Sequence, residues 1–192
     1  MARTVFEKQD VIPLLGEVFR ALGYDGASMS AITARTGLSK SSLYHFFPNG
    51  KEEMAAAVLA HVDGWFIPQI FEPLEREEPA AAIGAMWAAT DAYFRSGRRI
   101  CLMGAFALDE TRDKFADAIK TYFDRWISAL AAALRRAGLP PVEARGLAEA
   151  TVGGIQGALT LARAVDDDAV FGRLLGHLED AVQAAMSRHA RA

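Results

Sequence analysis

The distribution of alanine constrains this 192-residue chain more than any other feature: 32 of its 37 alanines lie beyond position 50. Alanine is the strongest helix former, and no run of β-branched or aromatic residues alternates with period two. Proline and glycine cut the chain into helix-sized pieces. Val11–Leu22 carries apolar residues at i, i+3 and i+4 and stops at Gly23. Further helices are expected over Ser30–Thr36, Lys40–Phe47, Lys51–Phe66 (ending before Pro68) and Pro79–Phe94. Arg99–Leu108, Glu110–Ala137, Val142–Val165 and Asp167–His189 complete an all-α chain of about nine helices.

Composition removes several classes of protein. A single cysteine, Cys101, leaves no disulfide framework and no multi-cysteine zinc site, and reads best as a small buried hydrophobe. Met1-Ala2-Arg3-Thr4 begins no apolar leader, and the greasy run Ala80–Ala89 is too short to span a bilayer. The expectation is a cytoplasmic protein without membrane contact. His61 and Asp63 face different ways on a helix, and His177 with Asp180 form only a pair. With no glycine-rich phosphate loop, nucleophile elbow or HExxH motif, the reading assigns no catalytic residue, metal or cofactor.

The net charge of −3 conceals an asymmetry. Residues 1–51 hold six Lys or Arg (Arg3, Lys8, Arg20, Arg35, Lys40, Lys51) against four carboxylates, whereas the remainder holds fifteen against twenty. Within the head, Ser28–Phe47 reads SMSAITARTGLSKSSLYHFF. Met29 and Ile32 face inward from a short helix, and Gly37 falls where a tight turn needs positive φ. Leu38 fills the corner, Ser39 caps the next helix, and Leu43 and Phe47 lie four apart on its inner face. The outer face offers Lys40, Ser41, Ser42, Tyr44 and His45, and no carboxylate intervenes between Asp25 and Glu52. This is a helix-turn-helix whose second helix suits a major groove. Lys51 opens the following helix, where the helix dipole and free backbone N–H groups favour an anion.

The run GLSKSSLYHFFPNGKEEM (Gly37–Met54) resembles the N-terminal domain of TetR/AcrR transcriptional regulators over residues 8–60, and its FPNGKEEM form resembles the LmrA/YxaF-like branch. Beyond residue 60 the likeness rests on length, helix count and Cys101–Ala105. The resemblance implies that Lys40, Ser41, Ser42, Tyr44 and His45 contact double-stranded operator DNA from the recognition helix. It also implies that Ser28 and Thr33 touch the backbone and that Lys51 meets a phosphate. Ser41-Ser42 stands where many members have Gly or Pro with Thr, so the base preference stays open. For Tyr44 a structural role competes with a contact, Ser39 reads as a cap, and Arg35 as a solvated charge.

The division expected is a DNA-binding head, residues 1–50, and an effector-binding and dimerisation body, residues 51–192. All three tryptophans and most other aromatic residues lie in the body. Core packing accounts for most of them, but aromatic rings with methionine also suit an apolar ligand pocket. The effector candidates are Trp65, Trp87, Phe94, Met103, Phe106, Phe123 and Trp126. Small residues at Gly153, Gly154, Gly157, Ala158, Gly172 and Gly176 ask for close helix approach, since mid-helix glycine costs about 1 kcal/mol relative to alanine. The resemblance implies that the last two helices pair with their copies in a homodimer. The whole reads as a repressor released by a small apolar or aromatic effector. The alternative is a helical small-molecule-binding module without DNA binding.

Overall fold

The computed structural model describes residues 7–189. The Met1–Thr4 stretch, Arg3 of the head charge and Arg191 of the body charge lie outside the described residues. Among the described residues all regular structure is helical. The elements are α1 (Lys8–Gly26), α2 (Met29–Thr36), α3 (Lys40–Phe46), α4 (Lys51–Arg76), α5 (Pro79–Phe94), α6 (Leu102–Ala107), α7 (Ala116–Arg136), α8 (Pro141–Ala164) and α9 (Ala169–His189). A 3₁₀ segment, Glu110–Phe115, leads into α7.

Two compact units are present, one of residues 7–64 with 102–119 and one of residues 65–101 with 120–189. The division falls inside α4, between Gly64 and Trp65.

Two helices run past their expected stops. Gly23 does break α1, with φ 69° and ψ 177°, yet helical structure resumes through Gly26 and carries Tyr24 into the core. Pro68 does not end α4. The helix widens into a π turn over Ile67–Phe71, and Glu72 N–H donates to the Ile67 carbonyl five residues back. A proline lacks its own donor and crowds the carbonyl four residues earlier, and a wider turn relieves both faults. Conversely, Arg99–Cys101 and Leu108 fall outside α6, and the first turns of the expected 110–137 helix tighten to 3₁₀. Among the described residues the continuous α4, rather than Ala80–Ala89, is thus the one helix long and apolar enough to cross a membrane by length and composition. Its Met54, Val58, Leu59, Val62, Phe66, Ile70, Phe71 and Leu74 recur at helical spacing and are buried, as a core helix requires.

In the first unit α1 packs on α2 and α6, burying Leu15, Val18 and Phe19 of α1, Ile32 of α2 and Phe106 of α6. In the second, Phe66 is the centre. Its ring lies 4.8 Å from Tyr93, 5.0 Å from Tyr122, 5.2 Å from Trp126 and 5.8 Å from Phe71. The end of α4 is tied to α7 by Arg136, which donates to the Leu74 and Glu77 carbonyls at 2.7 and 3.1 Å. Arg125 makes a two-pronged pair with Glu75 at 2.9 and 3.2 Å and lies over the Phe71 ring. α8 and α9 form a tight antiparallel pair. A Cβ at Gly154 would fall 2.7 Å from Leu178, so this glycine is explained by close approach inside one chain.

The Arg125 guanidinium holds the Glu75 carboxyl below its usual range, with hydrogen bonding the largest cause. A depressed folded-state pKa stabilises the fold above the ordinary glutamate range, and that stability is lost as pH falls through the folded value. Glu75→Gln is therefore expected to cost about 1 kcal/mol at neutral pH, the pair being about one-third exposed. Urea denaturation should show the variant and the parent converging in acid.

Candidate nucleic-acid interface

The helix-turn-helix is fixed by caps and one turn. Ser28 Oγ accepts from Ala31 N–H at 3.2 Å and opens α2. Gly37 adopts φ 72° and ψ 4°, the left-handed conformation that a side chain disfavours, and its N–H donates to the Thr33 carbonyl at 3.0 Å. Ser39 Oγ then accepts from Ser42 N–H at 3.1 Å and shares hydrogen bonds with the Ser41 and Ser42 hydroxyls at 2.9 and 2.8 Å. Leu43 and Phe47 are buried, as their spacing requires, and Leu38 fills the corner. Met29 is only half-buried.

This leaves one polar face on α3. Lys40, Ser41, Tyr44 and His45 are exposed, and Ser42 is half-buried beside the cap. Tyr44 is 40% exposed; its ring lies 5.9 Å from the Lys40 ammonium and against Gly50, where a Cβ would fall 3.6 Å from Cε1. Tyr44 thus braces the turn into α4, its hydroxyl also beside Gly50, while part of the ring stays exposed. Thr33 donates to the Ser30 carbonyl at 2.9 Å, and Ser28 shares a hydrogen bond with Ser30, so both hydroxyls are already engaged in local structure.

Lys51 stands at the start of α4, but not in open solvent. Its ammonium donates to the Tyr24 carbonyl at 3.0 Å and sits 4.2 Å from the centre of the Tyr24 ring. An ammonium has three donors, so one bond leaves capacity for an anion. The backbone around it is partly used. Asn49 N–H donates to Glu53 at 3.0 Å, and Gly50 N–H to the Phe47 carbonyl at 2.9 Å. The Asn49 N–H, assisted by Lys8, holds Glu53 below the usual carboxylate range. Glu52 pairs with Lys114 at 3.5 Å.

The residues missed by sequence reasoning are Tyr24, Glu52 and Lys114. Lys114 lies 62 positions beyond Glu52, on a segment that no local pattern connects to the head. The effector candidates divide between the units. Phe106, with its ring 6.0 Å from both Phe19 and Tyr24, and the buried Met103 belong to the first. Trp65, Trp87, Phe94, Phe123 and Trp126 belong to the second. Trp65, Phe94 and Trp126 have rings 5.1, 6.3 and 5.2 Å from Phe66, and Phe123 reaches this cluster through Tyr122.

An all-helical chain with a capped helix-turn-helix in its first fifty residues defines a helix-turn-helix DNA-binding protein. Comparison with known proteins narrows the class. Residues 17–58 match the bacterial regulatory proteins of the tetR family, and residues 79–176 match the C-terminal domain of LmrA/YxaF-like transcriptional regulators. The chain belongs to the TetR family of transcriptional regulators, in its LmrA/YxaF-like branch.

It is 25% identical to the uncharacterised regulator YxaF of Bacillus subtilis over 160 residues, covering 80% of this chain and 83% of that one. The regulator LmrA of the same organism is 23% identical over 159 residues, covering 80% and 85%. A TetR regulator from Legionella pneumophila shares the fold with a TM-score of 0.79 at 19% identity, covering 94% of this chain and 99% of that one. The TetR-family regulator CifR, solved as a cysteine mutant with 26-base-pair operator DNA, has a TM-score of 0.73 at 24% identity, covering 95% and 99%.

Ser39→Ala removes the acceptor for Ser42 N–H and is expected to lower stability by about 1 kcal/mol. Ser41→Ala removes a hydroxyl that caps no N–H and should stay within about 0.5 kcal/mol of the parent. Chemical denaturation of the two variants separates the roles.

Proposed function

We propose that this chain is a ligand-responsive transcriptional repressor that binds a pseudo-palindromic operator as a homodimer and is released by a small hydrophobic or aromatic effector. The observation that carries the DNA reading is the α3 face: Lys40, Ser41, Tyr44 and His45 together on a buried, capped scaffold, with no carboxylate among them. These donors suit phosphates and base edges in a major groove. Ser42 beside the cap, Ser28, Thr33 and Lys51 complete the proposed contact set. The operator complex of CifR, which shares the fold, supports the same use of the head. Two recognition helices about 34–36 Å apart would enter successive major grooves.

Homodimerisation through α8 and α9 is supported by glycines that packing inside the chain leaves unexplained. Cβ atoms at Gly153, Gly157, Gly172 and Gly176 would meet nothing within 4 Å, and Leu161 and Val165 are exposed at the end of α8. The effector reading is supported by the ring cluster around Phe66. It is also supported by buried donors without an acceptor, Nε1 of Trp87 and Trp126 and the Thr90 hydroxyl. Such groups favour a ligand carrying acceptor oxygens on an aromatic or apolar frame. In this reading the head is residues 1–50 and the body residues 51–192, with α4 as the link between them. Coupling of about 1–3 kcal/mol would suffice, and the operator would weaken effector binding by the same factor.

A mobility-shift assay with DNA upstream of the chain's own and neighbouring genes tests the reading directly. Tyr44→Phe should lower operator affinity with the helical spectrum unchanged. Lys51→Ala should weaken binding to every sequence and reduce the salt slope by about one. Indifference of binding to combined loss of Lys40, Tyr44 and Lys51 would sink the DNA reading. Gly157→Leu should convert a dimer to a monomer in light scattering; an unchanged mass would place the interface elsewhere.

A further inference from the structure

Lys114 lies far along the chain from the helix-turn-helix, yet the first unit holds it beside the start of α4. Its segment is fixed at both ends. Asp109 accepts from the Thr111 N–H and hydroxyl at 2.8 and 2.9 Å, and the buried Phe115 ring lies 5.6 Å from Tyr24 and 5.5 Å from Phe106. From this anchored backbone the half-exposed Lys114 ammonium reaches 3.5 Å from Glu52 and 5.5 Å from the centre of the Tyr24 ring. Lys51 stands 4.2 Å from the centre of that same ring. One tyrosine therefore gathers two ammonium groups, one of them paired with the carboxylate that directly follows Lys51 in the sequence. The next carboxylate, Glu53, is already held by Asn49 N–H and Lys8.

We propose that Lys114 is a positioning residue for DNA binding: it neutralises Glu52, so that Lys51 meets a backbone phosphate without an uncompensated carboxylate beside it. This rests on the reading of Lys51 as a phosphate contact. A carboxylate a few ångströms from a phosphate repels it even in water, and the repulsion grows as salt is lowered. The acidic first turn of α4, unfavourable to DNA as written in the sequence, is balanced by a cation from a distant segment. Glu52 and Lys114 are both exposed, so their pairing contributes little to stability. Its effect is therefore expected in binding rather than in folding.

The test uses the full chain and a fluorescently labelled duplex of mixed sequence at low salt, with anisotropy followed across a salt titration. Four proteins are compared: the parent, Lys114→Gln, Glu52→Gln and the double variant. Lys114→Gln should raise Kd by about three- to tenfold. Glu52→Gln should not weaken binding, and the double variant should return to within about twofold of Glu52→Gln with the parental salt slope. Thermal melts of the four should agree, which separates this role from a structural one. Parental affinity in Lys114→Gln overturns the proposal. So does a loss that persists in the double variant, and a shallower slope there would make Lys114 a direct phosphate ligand. A parent chain that binds no duplex DNA overturns the phosphate reading along with it.

Discussion

Burial of the Tyr24 ring at the end of α1 is the constraint on which the first unit depends. Phe19, Phe106 and Phe115 surround it, from α1, α6 and the 3₁₀ segment, and its carbonyl takes the Lys51 ammonium. Burial drives the Tyr24 hydroxyl above its usual pKa, while the neighbouring Lys114 ammonium opposes that rise. The ring thus remains neutral through the physiological range and serves as an apolar wall and a cation-binding surface at once. Without the break at Gly23, Tyr24 would continue the regular helix. The left-handed glycine redirects the chain so that both its ring and its carbonyl can be used.

The second unit is organised on different physics. Phe66 lies among aromatic rings at angles from tilted to edge-on, the arrangement that the ring quadrupole favours. Charged side chains appear where they close the ends of elements: Arg136 on the last carbonyls of α4, Glu78 on the first N–H groups of α5. The burial of Trp87, Trp126 and Thr90 donors inside such a unit is a cost that a tightly packed apolar core does not require.

Much of the fold was legible because its signals are local. The Ser39 cap, the glycine turn at 37 and the Leu43–Phe47 spacing act within one or two helical turns, and each has the expected role, whereas the cap that Ser28 makes on α2 emerges only in the structure. The stop expected at Pro68 failed because a π turn accommodates the proline while Phe66, Ile70, Phe71 and Leu74 around it enter the core. Lys51 was legible as the first residue of α4, but its partner Tyr24 was not, being 27 positions away with only the tertiary fold to join them. The same holds for Lys114 and Glu52. Reading the glycines of the last two helices as one set also merged two roles, since Gly154 serves a contact within the chain while Gly153 beside it faces open space.

That contact between Gly154 and Leu178 has a consequence for how any second surface meets these helices. Because α8 and α9 interlock within one chain, their relative angle and register are set during folding. The conformational entropy of aligning them is lost at that stage and does not count again against association. A docking surface would then meet a rigid two-helix platform instead of two elements still to be ordered. Its fit would depend on the surface the paired helices already present, exposed Leu161 and Val165 included.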